Sequence, residues 1–465
     1  MSNKDDPVFL SGSLMRHVSI MSFTGSIGLM AMFAVDFVDM IFISMLGNEA
    51  LAAAVGYAGT VLFFTNSINI GLSIAAGSLV SRSLGAKKHI EAREYATSVA
   101  FFGVITGLIV PAIALPMLPT ILAFLGAEGE TANLATTYLW IIMPTMPFIS
   151  VAIISMAILR AHGDAKRSMS ATLFGAILNA VLDPILIFGF DLGLEGAAIA
   201  SVIARLLMLY LAITPVLRRY DGYAKLNANL LARDFRTVSN IASPAVLTNV
   251  ATPVGMAIVM REMSKYGTEA IAGMAIVGRL TPIAFAVIFA LSGAIGPIVG
   301  QNFGAGRMDR VRGAFKAGIL FIGIYVLFAT AILFLVRQPV ASLFSAEGLT
   351  RSIIYLFCGP LALSYFFNGI IFVSNASFNN LGHPGKSAWI NWGRNTLGTW
   401  PFVIAGSAWL GAEGVLIGQA VGGVFFAVIA VVLAIRVMNE SNTPGTPTPF
   451  QKQKRVHLLF SRGRW

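Results

Sequence analysis

Long apolar runs separated by short polar breaks dominate the chain. They predict twelve helices, near 14–44, 50–83, 94–118, 134–159, 166–189, 194–217, 238–263, 270–302, 313–336, 351–379, 387–409 and 413–436. Most of these runs are long enough to cross roughly 30 Å of hydrocarbon, which takes about 20 residues. Inside hydrocarbon a segment must satisfy its own backbone polar groups, so helices are the expected form. The first run is long and continues as a span, so no cleavable signal peptide is expected. From residue 437 the text turns to S-N-T-P-G-T-P-T-P and a basic end, which reads as a disordered basic cytosolic tail over 437–465.

Composition agrees with this pattern. Of 465 residues, 56% are hydrophobic and 11% charged, against about 25% charged in a soluble domain. A water-soluble fold of this size is excluded, and the fold class is an all-α membrane protein. The net charge of +11 does not point to nucleic acid, because the basic residues sit in short loops and report orientation instead. Of the Lys and Arg, 26 fall in the tails and even-numbered loops and 4 (Arg261, Lys265, Arg337, Arg351) in the odd-numbered loops. Arg205 and Arg279 fall inside helices. This bias places both termini in the cytosol of a multi-pass protein of the cell inner (plasma) membrane. The single Cys358 excludes an intramolecular disulfide.

The chain also repeats itself. G-L-S-I-A-A-G-S-L-V-S-R-S-L-G-A-K-K from Gly71 returns 219 residues later as A-L-S-G-A-I-G-P-I-V-G-Q-N-F-G-A-G-R from Ala290. G-L-E-G from Gly193 returns as G-A-E-G from Gly411, and G-N-E-A from Gly47 as G-T-E-A from Gly267, at nearly the same offset. Six spans per half give both halves one orientation, as parallel repeats related by an axis along the membrane normal. The expected division is an N-terminal lobe over 1–217, a cytosolic linker over 218–237 and a C-terminal lobe over 238–436. Two such lobes suit a transporter that alternates the access of a substrate bound at the repeat interface.

Few charges lie inside the predicted spans, where each costs roughly 2.5–3.5 kcal/mol on insertion scales and marks function by default. Asp36 and Asp39 lie one turn apart in span 1, on one face. In span 5, N-A-V-L-D-P-I-L-I-F-G sets Asn179 and Asp183 four apart, and Pro184 deprives the Ala180 carbonyl of its helical donor. Ser201 and Arg205 lie four apart in span 6. Measured from the outer helix ends, all six fall at depths of roughly 8–17 Å. The second half has no matching acids: Asp39 aligns with Val259, and Asp183 falls near Val403 or Pro401. A freed carbonyl with carboxylates suits a small hard cation, and the same carboxylates can instead take a proton. Arg205, if it points into the site, repels a metal ion and favours H⁺. An unpaired Arg at this depth is costly, so Arg205 is expected to pair with Asp36 and leave Asp39 and Asp183 to exchange the ion. The five histidines lie in tails or loops without metal-ligand spacing, and no Walker A sequence occurs.

These strings resemble the multidrug and toxic compound extrusion (MATE) transporters over nearly the whole chain except the tail. They are V-D-M-I-F-I-S-M-L-G from Val38, the G-S-L-V-S-R-S-L-G-A-K-K end of span 2, the Asn179 segment, G-L-E-G-A-A-I-A-S from Gly193 and P-I-V-G-Q-N-F-G-A-G from Pro297. The resemblance implies a V-shaped pair of six-helix lobes exporting amphiphilic, often cationic, compounds against an inward flow of Na⁺ or H⁺. It carries the ion site of the first lobe onto Asp39, Asn179, Asp183 and Ser201, which would be metal ligands only if the coupling ion is Na⁺. With Asn368 near the helix-10 position and no acid inside span 7, the chain resembles the DinF-like branch. It departs from relatives in lacking a proline many of them carry near the start of span 1, where Phe23 or Thr24 stands, and in having Asp36 where relatives often have Asn or another neutral polar residue.

The resemblance implies no enzyme and no cofactor beyond the coupling ion. The expected partners are small amphiphilic substrates and the lipid bilayer, with no nucleic acid, and the protein is expected to be a monomer. One alternative is a lipid-linked saccharide flippase of the same superfamily, disfavoured by twelve helices and an acidic cluster confined to one half. Another is an intramembrane aspartyl protease using Asp39 and Asp183, whose A-V-L-D text lacks the G-x-G-D of such enzymes. The orientation is checked by tags at both termini: both should be shielded in intact cells, and labelling from outside would overturn the assignment.

Overall fold

A computed structural model describes residues 7–441, apart from the side chains at positions 44 and 49. Most of the tail expected over 437–465 therefore lies outside the described residues; its first residues continue the last helix to Glu440. Among the described residues there are α-helices, short 3₁₀ and π turns, and no strand. Spans 1 to 3 are α1 (Leu14–Met45), α2 (Glu49–Gly85) and α3 (His89–Phe124). Span 4 is split into α4 (Gly129–Ile142) and α5 (Met146–Ala161) by the 3₁₀ turn Met143–Thr145. Span 5 is α6 (Ala165–Pro184) continued by a π turn (Ile185–Gly189), and span 6 is α7 (Gly193–Tyr220). Span 7 is α8 (Ala228–Met263), span 8 is α9 (Thr268–Ala284) with α10 (Ala286–Gly304), and span 9 is α11 (Met308–Leu343). Span 10 joins α12 (Gly348–Leu356) to α13 (Ala362–Leu381) through the π turn Phe357–Leu361. The chain then runs through α14 (Pro384–Asn395) and α15 (Trp400–Glu440).

Among the described residues, eleven helical stretches can cross a membrane by length and hydropathy, the last of them Pro384–Glu440 with 57 residues. That stretch is two spans. At Gly411 the backbone takes φ 64° and ψ −143°, which glycine adopts freely, and the chain doubles back. The close approaches run antiparallel: Gly406 against the Gly414 carbonyl, Gly418 against that of Phe402, and Gly422 against that of Gly398. Any Cβ at these glycines would strike the facing backbone, so the small-residue face is what lets the two helices touch. With this reversal the count is twelve.

Compactness divides the chain differently from the expected lobes. One unit holds Ile20–Val246, and the other holds Phe9–Ser19 with the chain from Leu247 onward. The boundary falls inside α8, not in the linker, because the linker is bonded to the first unit. Thr97 Oγ1 accepts from the Ala224 N–H at 2.8 Å, Tyr223 and Ser155 hydroxyls meet at 2.9 Å, and Ser98 donates to Asp234 at 2.7 Å. The turn before α1 is held in the same way within the second unit. Phe9 is buried, its N–H donates to Gln301 Oε1 at 2.9 Å, and Arg310 donates to the carbonyls of Phe9, Ser11 and Gly12 at 2.9–3.2 Å. Arg394, counted above with a cytosolic loop, instead sits ten residues into α14. About 15 Å of helix separates it from that helix's start.

The repeat is visible in the packing as well as in the strings. In the first unit Gly103 of α3 faces Ser150 and Ile154 of α5, where a Cβ would come within 2.6 Å. At the repeat offset of 219 these positions are Ile322 of α11 and Gly369 of α13, and a Cβ on Gly369 would lie 2.7 Å from Ile322. The small partner is on the first helix in one unit and on the second helix in the other. Each contact keeps one glycine, so both helix pairs pack closely while the side chains exchange sizes. The expected outcome for Gly369→Ser is a loss of about 1–3 kcal/mol from overpacking. Trimming the neighbour as well, in Ile322→Ala/Gly369→Ser, should recover part of that loss in thermal unfolding of the purified protein. Strictly additive losses would contradict the exchange.

Candidate functional site

The site is confined to the first unit and is built where helices break. Pro184 closes α6 and lacks the N–H that would bond the Ala180 carbonyl. The chain widens into the π turn Ile185–Gly189, whose Phe188 meets Phe42 of α1 edge-on at 6.0 Å. This ring contact fixes α1 beside the end of α6, one turn beyond Asp39. Asp183 is fully buried, and Asn179 Nδ2 donates to its Oδ1 at 3.1 Å. The Asp39 and Asp183 carboxyls lie within hydrogen-bonding reach of one another. Asp39 Oδ1 and Asp183 Oδ2 are buried, and no donor among the described residues reaches either. Two carboxyls in such contact can bond each other only by sharing a proton, since an ionised carboxylate is an acceptor alone.

The remaining members of the predicted layer are placed differently. Ser201 of α7 faces the hydroxyl of Tyr138 on α4. Arg205 does not pair with Asp36: its Nη1 donates to Thr145 Oγ1 at 2.9 Å and to the Ile142 carbonyl at 3.3 Å. The reason is the break in span 4. Through the 3₁₀ turn the Met146 N–H bonds the Met143 carbonyl, so the Ile142 carbonyl has no helical donor. Thr145 Oγ1 at 2.7 Å and the guanidinium take its lone pairs instead. Asp36 is exposed and has no hydrogen bond or ion pair among the described residues. An unpaired carboxyl at this depth must be hydrated or hold its proton.

Of the six residues singled out from the sequence, Asp39, Asn179 and Asp183 therefore come together. Ser201 joins them through the electrostatic surroundings of Tyr138, which include Arg205, Asp39 and Asp183. Asp36 stands a turn away. Sequence reasoning missed Tyr138 and Thr145, the two polar groups that span 4 contributes. The P-T-M-P text from Pro144 to Pro147 was the signal available, because paired prolines in a span free carbonyls that need donors. Among the described residues no group of three or more His, Cys, Asp or Glu is placed to hold a metal ion.

Helical repeats that bury a carboxyl pair within one unit suit a membrane transporter. The family is given by comparison. The MatE family model matches residues 26–185 and 244–402, one stretch in each half, and the chain belongs to that family. It is 28% identical over 447 residues to an FAD transporter of Shewanella oneidensis, covering 93% of this chain and 97% of that protein. It is also 28% identical over 390 residues to the multidrug export protein MepA of Staphylococcus aureus, covering 83% and 84% of the two chains. Its fold matches the Vibrio cholerae MATE transporter VcmN in the bent form at a TM-score of 0.86, with 24% identity over 92% of this chain and 98% of the other. An outward-facing multidrug resistance MATE family transporter matches at 0.87, with 22% identity over 94% and 98%.

Because Arg205 is satisfied by span 4 and not by Asp36, substitutions at the two sites should be independent. The folding losses of Asp36→Asn and Arg205→Gln, read from the thermal stability of purified protein, are expected to add to within about 0.5 kcal/mol. A coupling well beyond that would restore the ion pair.

Proposed function

We propose that the chain is a secondary active antiporter of the inner membrane that exports amphiphilic compounds, cationic ones among them, in exchange for inward H⁺. The contact between Asp39 and Asp183 carries the reading. The two carboxyls hold one proton between them when substrate is absent, and the open oxygens on Asp39 and Asp183 leave no neighbouring donor to compete with it. Asn179 holds Asp183 in place by donating to its other oxygen. Na⁺ is the weaker choice, because Ser201 faces Tyr138 and Asn179 presents a donor, not an oxygen, to the carboxylate. With both acids in one unit, coupling runs through the first lobe, as in the DinF-like branch. Alternating access follows if protonation, by removing charge from a poorly hydrated layer, favours one arrangement of the break at Pro184 over another. MepA supports multidrug export, and the FAD transporter of Shewanella oneidensis supports a substrate range that includes larger anionic compounds.

The test is efflux of a fluorescent amphiphilic cation from proteoliposomes, with pH and Na⁺ gradients imposed separately. Transport should follow the pH gradient alone. Asp39→Asn and Asp183→Asn should each abolish it without loss of inserted protein, while Ser201→Ala should retain it. Efflux driven by Na⁺ at equal pH, or normal efflux by either Asn variant, would overturn the proposal.

A further inference from the structure

The second unit contains a polar centre that proton coupling at Asp39 and Asp183 leaves unused. Every acid of that unit stands within two residues of a span end: Glu262, Glu269, Asp309, Glu347, Glu413 and Glu440. Its membrane interior therefore carries the cations Arg279 and Arg394 and no carboxylate. The first unit has the opposite balance, with Asp36, Asp39 and Asp183 against Arg205.

Arg394 lies at the end of a discontinuous helix. Helix α14 stops at Asn395 and the chain turns through residues 396–399 before α15. The freed carbonyls of the turn are taken locally. Thr396 Oγ1 donates to the Trp392 carbonyl at 2.6 Å, and Thr399 Oγ1 to the Arg394 carbonyl at 2.9 Å. The break is thus self-satisfied, and the Arg394 side chain is not needed to hold it. Among the described residues its guanidinium makes one hydrogen bond, from Nη1 to Asn368 Oδ1 at 2.7 Å. Asn368 is neutral, so it orients the guanidinium without cancelling its charge, and four of the five N–H donors remain. The Tyr365 phenol, one turn earlier on α13, faces the same guanidinium. Tyr365 is fixed by its hydroxyl contact with Thr281 at 3.1 Å and by stacking on Phe285 at 3.9 Å. Arg394, Asn368 and Tyr365 are all half-buried. A charged guanidinium midway through a span, oriented by an amide and facing no carboxylate, is costly to retain. Its planar fork suits an oxyanion, phosphate above all.

We propose that Arg394, oriented by Asn368 and flanked by Tyr365, is a binding site for the phosphate group of an amphiphilic ligand. This rests on the reading of the chain as an exporter and gives its anionic substrates a chemical class, those that carry a phosphate, and a place to bind. The phosphate could belong to a transported solute or to a lipid headgroup, and the test separates these.

The probes are flavin mononucleotide and riboflavin, which share a ring system and differ by one phosphate. Their binding to the full-length protein in phosphate-free maltoside micelles is read from flavin fluorescence. Wild type should bind the mononucleotide roughly tenfold to a hundredfold more tightly than riboflavin, the range for hydrogen bonds to a charged group. Arg394→Gln should bring the ratio to about one while leaving riboflavin binding unchanged, and Arg394→Lys should keep a reduced preference. Arg394→Lys and the wild-type ratio decide the matter if Arg394→Gln does not fold. Displacement of the mononucleotide by added phosphatidylglycerol would support the site and assign it to a lipid headgroup; its retention would support the site and assign it to a solute. Equal affinities in wild type, or a preference that survives Arg394→Gln, would overturn the proposal. Asp39→Asn should leave the ratio intact while losing proton-driven efflux, so a failure of coupling and a failure of this site are read separately.

Discussion

A polar group inside hydrocarbon must find its partner within the protein, and a charge there costs several kcal/mol unless it is paired, hydrated or neutralised. This constraint accounts for where the irregular backbone of the molecule falls. Each break in a span lies beside a polar side chain that either uses the freed backbone or is released by it. Pro184 interrupts span 5 next to Asp183, the 3₁₀ turn Met143–Thr145 supplies acceptors to Arg205, and the turn at 396–399 follows Arg394. Straight helices would have satisfied their own backbones and left these side chains without neighbours. The breaks are therefore where chemistry can be kept in the membrane.

Repetition supplies the scaffold on which this is done. The two halves share strings, span order and a broken fourth helix, with Met143–Thr145 in one and Phe357–Leu361 in the other. Even a close helix contact persists while its residues exchange sizes, Gly103 against Ser150 in the first half and Ile322 against Gly369 in the second. The chemistry does not repeat. Acids gather in one unit and an unneutralised guanidinium in the other, a division that packing does not require. A repeat preserved for stability alone would have had no reason to separate charges of opposite sign.

The spans, their number and the repeat were legible in the sequence because apolar length and glycine spacing are one-dimensional signals. So was the company of Asn179 and Asp183, since a spacing of four puts them on one face of a helix; Asp39 joins them because Phe42, one turn on, packs against Phe188. The pairing of Arg205 with Asp36 was not legible. Depth measured along a helix says nothing about which way a side chain turns around it, and the competing acceptors were created by a proline break on a third helix. Arg394 was counted with the loop although the expected span over 387–409 already holds it; it sits one residue before α14 ends at Asn395. The compact units cut through α8 because the linker, read as a tether, is hydrogen-bonded to Thr97, Ser98 and Ser155.

The central claim is that Asp39 and Asp183 share a proton which substrate displaces. Infrared difference spectroscopy of the purified protein reads the carbonyl stretch of protonated carboxyl groups directly. The account predicts a protonated-carboxyl band that is lost when a transported cation is added and is absent from both Asp39→Asn and Asp183→Asn. A spectrum without such a band in the wild type, or one whose band persists in both variants and ignores substrate, would contradict it.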